Sequence, residues 1–231
     1  MFFPDRITGI REGHRVLEVG PGADPHPRSD VLLEMAFEDP EAYGRQFGHD
    51  RPLVTEKEVV YYDGSRFPFA DGTFDYVICS HVVEHVPDVE SFVGECFRVA
   101  RRGYFEYPLC YYEYLYNFDV HLNLVKHTDG VLRYMKKSET AIDSFRPVQA
   151  LLQESLTKGY IGTLNELLPW LMEGFQWEAP FPVQRVHDLA SVCHAGALLP
   201  MRTEPPVHAL GPRRLLRELA ASIRMRILPP S

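Results

Sequence analysis

The sequence predicts an α/β protein built on a mainly parallel sheet, and three observations predict it. Five short apolar runs, RVLEV (15–19), VLLEM (31–35), VVYY (59–62), FDYVICS (74–80) and GYFEY (103–107), have the length of strands buried on both faces. They end in turn residues or acids: Gly20-Pro-Gly22, Asp63-Gly64, Ser80-His81 and Pro108. Between the fourth and fifth lies a segment with helical period.

That segment, DVESFVGECFRVAR (88–101), places Val89, Phe92, Val93, Cys96, Phe97 and Ala100 on one face. Asp88 suits its N-cap and Gly103 its C-terminal exit. A short helix near 39–47 is expected in the second crossover. HLNLVKHTDGVLRYMKK (121–137) reads as a hairpin turning at Asp129-Gly130. Residues 147–157 and 163–175 read as helices, with Pro147 in a first turn, and 178–212 as loop. RRLLRELAASIRMRIL (213–228) reads as an amphipathic helix. It is expected to pack on the body with its arginines in water; contact with anionic lipid or a partner is the alternative.

With 231 residues, one domain is expected, a core over about 14–137 and a helical cap and tail over about 138–231. The net charge of -8 argues against general nucleic-acid binding. No apolar run is long enough for a membrane span, and the N-terminus has no secretory apolar core. Cys79, Cys96, Cys110 and Cys193 form no C-x-x-C pair. They read as small hydrophobes in a reducing compartment, so the expected location is cytoplasmic, with a peripheral membrane contact as the variant.

In an open sheet of this kind ligands sit beyond the carboxyl ends of the strands. Four groups fall there: Glu18 with Gly20 and Gly22, Glu34, Asp63 with Gly64 and Ser65, and Ser80 with His81. Glycines let the backbone approach a ligand. Glu34 suits ribose hydroxyls, and Asp63 an exocyclic amine. Pro25 stands where a dinucleotide fingerprint has its third glycine, and no Lys-Ser/Thr pair of a P-loop is present. Glu18 would repel a diphosphate and suit a cation. These features disfavour a nicotinamide dehydrogenase and point to an adenosine that carries positive charge.

The same residues resemble class I S-adenosylmethionine-dependent methyltransferases, in the group with the methyltransferase type 11 pattern. VLEVGPG matches the first motif, and YYDGSRFPFADGTFDYVICSHVVEHVPD (61–88) the central one. The resemblance spans about residues 14–108. It implies a Rossmann-like methyltransferase fold and S-adenosyl-L-methionine as cofactor. It implies that Glu18, Gly20 and Gly22 hold the methionine end, Glu34 the ribose, and Asp63, Gly64 and Ser65 the adenine. Ser80 and His81 would close the site near the sulfonium. Only eight residues separate Gly22 from the second strand, with Pro25 and Pro27 among them. The first crossover helix is therefore expected to be lost, with His26, Pro27 and Arg28 as an open wall.

The expected activity is methyl transfer to a small polar acceptor, with O-methylation of a sugar or glycan precursor as the specific reading. The alternative is a methyltransferase-like binding module that acts on a partner through its C-terminal region. His85 and His121 are the candidate bases, chosen from a wider set with His81, His127 and Glu106. His81-Val-Val-Glu84-His85 has H-x-x-E-H spacing, which can bring three ligands onto one helical turn. Its place after a strand speaks against a protease, and no metal is expected, with metal-assisted transfer as the lesser reading. The acceptor pocket is expected from 109–175, an aromatic region for which Tyr111, Tyr112, Tyr114, Tyr116, Phe118, Trp170 and the adjoining Trp177 are the candidates.

Overall fold

A computed structural model describes residues 1–36, 52–156 and 167–193. The compact unit Met1–His194 contains all of them. The expected helices near 39–47 and 213–228 lie outside the described residues.

Six strands form the main sheet in the order β3-β2-β1-β4-β5-β8. They are β1 (Val16–Val19), β2 (Val31–Met35), β3 (Glu58–Tyr62), β4 (Tyr76–Ser80), β5 (Gly103–Pro108) and β8 (Met172–Trp177). The first five are parallel, and β8 runs antiparallel beside β5, pairing Phe105 with Phe175. The side chains of β1, of β4 up to Cys79 and of all of β5 are buried, as unbroken apolar runs require of central parallel strands.

Helix α1 (Val89–Val99) covers one face of the sheet. Asp88 caps it by accepting the Ser91 N–H at 3.0 Å, a bond worth about 1 kcal/mol. Val89, Phe92, Val93, Cys96 and Val99 are buried against the strands. Arg98 reaches back to the Phe67 and Phe69 carbonyls and to Asp71, and so pins the loop after β3.

The opposite face has no helix from the first crossover. Residues 20–30 join β1 to β2 through turns alone, as the two prolines predict. The N-terminal segment takes up part of the vacated surface. Ile7 and Ile10 pack on Val16, Tyr76, Ile78 and Tyr104. The Gln176 side-chain oxygen accepts from the backbone of Thr8 and Gly9, which ties this segment to β8.

The second sheet has the order β6-β7-β9, from β6 (Asn123–Thr128), β7 (Val131–Lys136) and β9 (Val183–Arg185). β6 and β7 are the expected hairpin, and Asp129 and Gly130 turn it with φ of 54° and 73°. Helix α2 (Cys110–Tyr116) follows β5, and helix α3 (Arg146–Ser155) carries Pro147 in its first turn.

Three expectations need correction. Residues 163–175 are not one helix, because Met172–Trp177 pairs with β5 along its whole length. Val183–Arg185, expected as loop, is a strand beside β7. Cys110 and Cys193 form a disulfide across 83 residues of sequence, which no local spacing rule can show. Cys79 and Cys96 are buried thiols as expected. The bond removes the cysteine argument for a reducing compartment. Among the described residues no helix is long and apolar enough to cross a membrane.

Candidate functional site

The strand order reverses between β1 and β4, and a cavity of about 250 Å³ opens beyond their carboxyl ends. Gly20, Pro21, Gly22, Ala23 and Asp24 form one wall, and Ser80, His81, His85 and His121 the other, with Met1 at the edge. The described lining contains a carboxylate and no lysine or arginine. Such a wall suits a cationic ligand better than a diphosphate.

The first wall depends on Gly20 and Gly22, which have φ of 63° and 60°. A Cβ on Gly20 would stand 2.6 Å from Val82 Cγ2. Glu18, buried at the end of β1, anchors the crossover from beneath. Its Oε2 accepts from His26 N at 2.7 Å and from Ser29 Oγ at 2.6 Å. Burial raises its pKa above the usual carboxylate range, against these hydrogen bonds. Lys57 Nζ donates to the carbonyls of His26, Pro27 and Ser29. A turn without helical hydrogen bonds must satisfy its backbone in some such way. His26, Pro27 and Arg28 are thus drawn onto Lys57 and Arg11, and the expected wall is made by Ala23 and Asp24 instead.

Glu34 lies at the end of β2 with 4% of its surface exposed. Its Oε1 accepts from Met35 N at 2.8 Å, while Oε2 is buried with no donor among the described residues. Burial pushes its pKa up to about 7. Asp63, exposed after β3, accepts from the backbone and hydroxyl of Ser65, and these bonds lower its pKa. Gly64 between them has φ of 86°. Glu34, Asp63, Gly64 and Ser65 stand at adjacent strand ends but do not line the cavity.

Ser80 ends β4, and His81 follows it. His81 has φ of 57°, a left-handed conformation that is uncommon for a large side chain. Its Nε2 meets Glu106 Oε1 at 3.1 Å. Ser80 Oγ, Tyr104 OH and the N–H groups of Phe2 and Phe3 also donate to Glu106. Burial raises the Glu106 pKa, but His81 and the other donors outweigh it and hold the group at about 2. So fully engaged a carboxylate makes a poor base.

His85 and His121 face the cavity together, with ring centroids 4.6 Å apart. His85 Nδ1 lies 3.0 Å from the Val120 carbonyl, which only accepts, so Nδ1 carries the proton and Nε2 a lone pair. His121 Nδ1 meets the Glu113 carboxylate, which only accepts, so Nδ1 carries a proton here too, and in the neutral ring Nε2 has the lone pair. Glu84 lies between them, wholly buried. Asn123 fixes this turn by donating to the carbonyls of Val83, Glu84 and Val86.

The structure therefore brings Gly20, Gly22, Ser80, His81, His85 and His121 into one cavity. His127 is elsewhere, stacked on Phe175 at 3.8 Å. The expected acceptor aromatics do not line the cavity either. Tyr112, Tyr116 and Phe118 pack on one another, Trp177 is in the core, and Trp170 is exposed. His121 is the one described lining residue from 109–175. Sequence reasoning did not find Glu113. It marks itself only by its helical spacing from Asn117 and by its approach to His121 in space.

A sequence-family profile described as "Methyltransferase domain" matches residues 37–105. The match begins beyond the short first crossover, where this chain departs from the pattern. The ubiquinone/menaquinone biosynthesis C-methyltransferase UbiE of Pasteurella multocida is 28% identical over 42% of this chain and 39% of its own length. Among solved structures, the YcgJ protein from Bacillus subtilis is 24% identical over 44% of this chain and 47% of that one, with a TM-score of 0.33. A SAM-dependent methyltransferase from Aquifex aeolicus is 20% identical over 46% of this chain and 62% of that one, with a TM-score of 0.31. The chain thus spans less than half the length of the first two relatives.

Proposed function

We propose that this chain, whose core is a class I S-adenosylmethionine-dependent methyltransferase domain of Rossmann-like fold, methylates an oxygen of a small polar acceptor. A sugar hydroxyl is the acceptor class we favour. The observation that carries the reading is the pairing, in one cavity, of a glycine-built loop with two histidine lone pairs.

The residues present fit the cofactor. Glu34 Oε2 is a buried acceptor without a donor, as a ribose hydroxyl would require. Gly20 and Gly22 leave the backbone bare beside the cavity, and the described lining offers no lysine or arginine to repel a sulfonium. Bound S-adenosylmethionine supplies an electrophilic methyl group on that sulfonium. Asp63, Gly64 and Ser65 would hold the adenine, and Glu18 sets the loop that receives the methionine end. Ser80 and His81 would close the cavity near the reacting centre. His85 and His121 would orient the acceptor hydroxyl and take its proton at Nε2. A polar wall of three histidines and a serine supports a hydroxyl acceptor over an apolar ring.

Calorimetric titration with S-adenosylmethionine and with NAD, on the intact chain and on Asp63→Ala, tests the reading. Binding of the first alone, weakened in the variant, is expected. If neither binds, the chain acts as a binding module.

A further inference from the structure

We infer that Glu84, His85 and His121 form a site for one divalent transition-metal ion in the wall of the cofactor cavity. The sequence alone does not assemble these ligands, because His121 comes from a different element. In space each offers an atom within 4.8 Å of the other two.

Three observations carry the inference. Both imidazoles are oriented as ligands. His85 and His121 commit their Nδ1 protons to the Val120 carbonyl and the Glu113 carboxylate, so in the neutral rings the Nε2 lone pairs are the ones left for a cation. Outer acceptors of this kind orient ligating histidines and raise their basicity. Lys137 in turn holds Glu113 at 3.3 Å.

Glu84 is 0% exposed, and neither of its oxygens has a hydrogen-bond donor among the described residues. A bare buried carboxylate is strongly unfavourable unless a positive charge compensates it. His81 Nδ1, 3.3 Å from Glu84 Oε1, forms an ion pair with that oxygen when the ring is protonated, while Glu84 Oε2 has no partner among the described residues. A cation between Glu84 and the two Nε2 atoms would complete the carboxylate.

The site is also rigid and open on one side. Asn123 pins the Val83–Val86 turn, while His85 and His121 face the cavity. Two imidazoles and one carboxylate suit Zn²⁺, Co²⁺ or Mn²⁺, and suit Mg²⁺ or Ca²⁺ poorly. Remaining coordination positions would point to where an acceptor oxygen enters. This last step rests on the methyltransferase reading, in which the cation, occupying both Nε2 atoms in place of their acting as bases, would then polarise the acceptor so that its proton passes to solvent; the site itself does not.

The test titrates chelator-treated protein with Co²⁺ by visible absorption and with Zn²⁺ and Mg²⁺ by calorimetry. One equivalent of Co²⁺ is expected, with ligand-field bands that vanish in Glu84→Gln and His121→Ala and persist in the control His187→Ala. Zn²⁺ should raise the melting temperature of the parent chain and not that of Glu84→Gln. In EDTA, Glu84→Gln should still melt cooperatively, which shows that the variant folds and that its lost Zn²⁺ response is the loss of the site. That comparison stands even if His121→Ala fails to fold. No Co²⁺ uptake by the folded chain, uptake that survives Glu84→Gln, or equal affinity for Mg²⁺ would overturn the site. S-adenosylmethionine binding, measured separately in EDTA, keeps the two readings apart. Cofactor binding without metal binding sinks the metal site alone, and metal binding without cofactor binding sinks the methyltransferase reading alone.

Discussion

Glu18 accepts the Ser29 hydroxyl at 2.6 Å and so closes, from inside the protein, a crossover too short to contain a helix. The same oxygen holds His26 N, while Lys57 holds the carbonyls on the other side of the turn. The pair stands in for the backbone bonds a helix would have made. Glu18→Ala leaves a buried N–H and a hydroxyl without an acceptor, at about 1–3 kcal/mol each in the worst case. We expect Glu18→Ala to lower urea stability and weaken S-adenosylmethionine binding together, and Glu18→Gln, which keeps an acceptor oxygen, to do so less. Unchanged stability in Glu18→Ala would show that the loop is held by other contacts.

Gly20 separates binding from folding. An alanine methyl there would stand 2.6 Å from Val82 Cγ2, and its φ of 63° disfavours any L side chain. Gly20→Ala should cost about 1–2 kcal/mol in strain and push Val82 aside. The core strands stay intact, so the variant should remain folded by circular dichroism and lose cofactor affinity at least tenfold. Full affinity in Gly20→Ala would mean that the ligand does not lie against this loop.

The strands β1 to β5 are legible in the sequence because each is an apolar run, although the edge strand β3 is half exposed, and the cofactor residues because they sit where those runs end. β8 is not legible. MEGFQW contains a glycine and a glutamate, and it is a strand because β5 offers an unpaired edge, not because of its own pattern. Helix α2 hides for the opposite reason: CYYEYLY is rich in aromatic residues that favour strands. His121 could be suspected from the hairpin that follows it. Its partnership with Glu113, and the nearness of both to Glu84, depend on how the hairpin packs onto the turn after β4, which no local spacing encodes.

The disulfide joins the start of α2 to the segment after β9. Closing a loop of 83 residues restricts the unfolded chain, and such bonds are typically worth about 2–4 kcal/mol. Cys193→Ser, or treatment with a reductant, should lower the melting temperature, and the reductant should have no further effect on the variant. Peptide mapping of the purified protein without reductant should recover Cys110 linked to Cys193. Recovery of four free thiols after purification under oxidising conditions would remove this element from the account.

Glu34 should make cofactor binding depend on pH. Burial pushes its pKa up to about 7 from an ordinary 4.5, so the free protein carries it largely protonated at pH 6 and ionised at pH 8. Sign matters here. A folded pKa raised above the unfolded value means that the ionised form is the unfavourable one, so stability falls as pH rises from 4.5 through 7 and is level above. Ribose hydroxyls, as donors, prefer the ionised carboxylate, so affinity changes in the other direction. It should rise between pH 6 and 8, by at most tenfold per unit below 7. Glu34→Gln should flatten both profiles, with higher stability than the parent at pH 8 and weaker cofactor binding. Calorimetry at pH 6, 7 and 8 reads the second effect, and thermal melts at the same values read the first. A binding profile with the same slope in parent and variant would mean that Glu34 does not touch the ligand, whatever its own proton does.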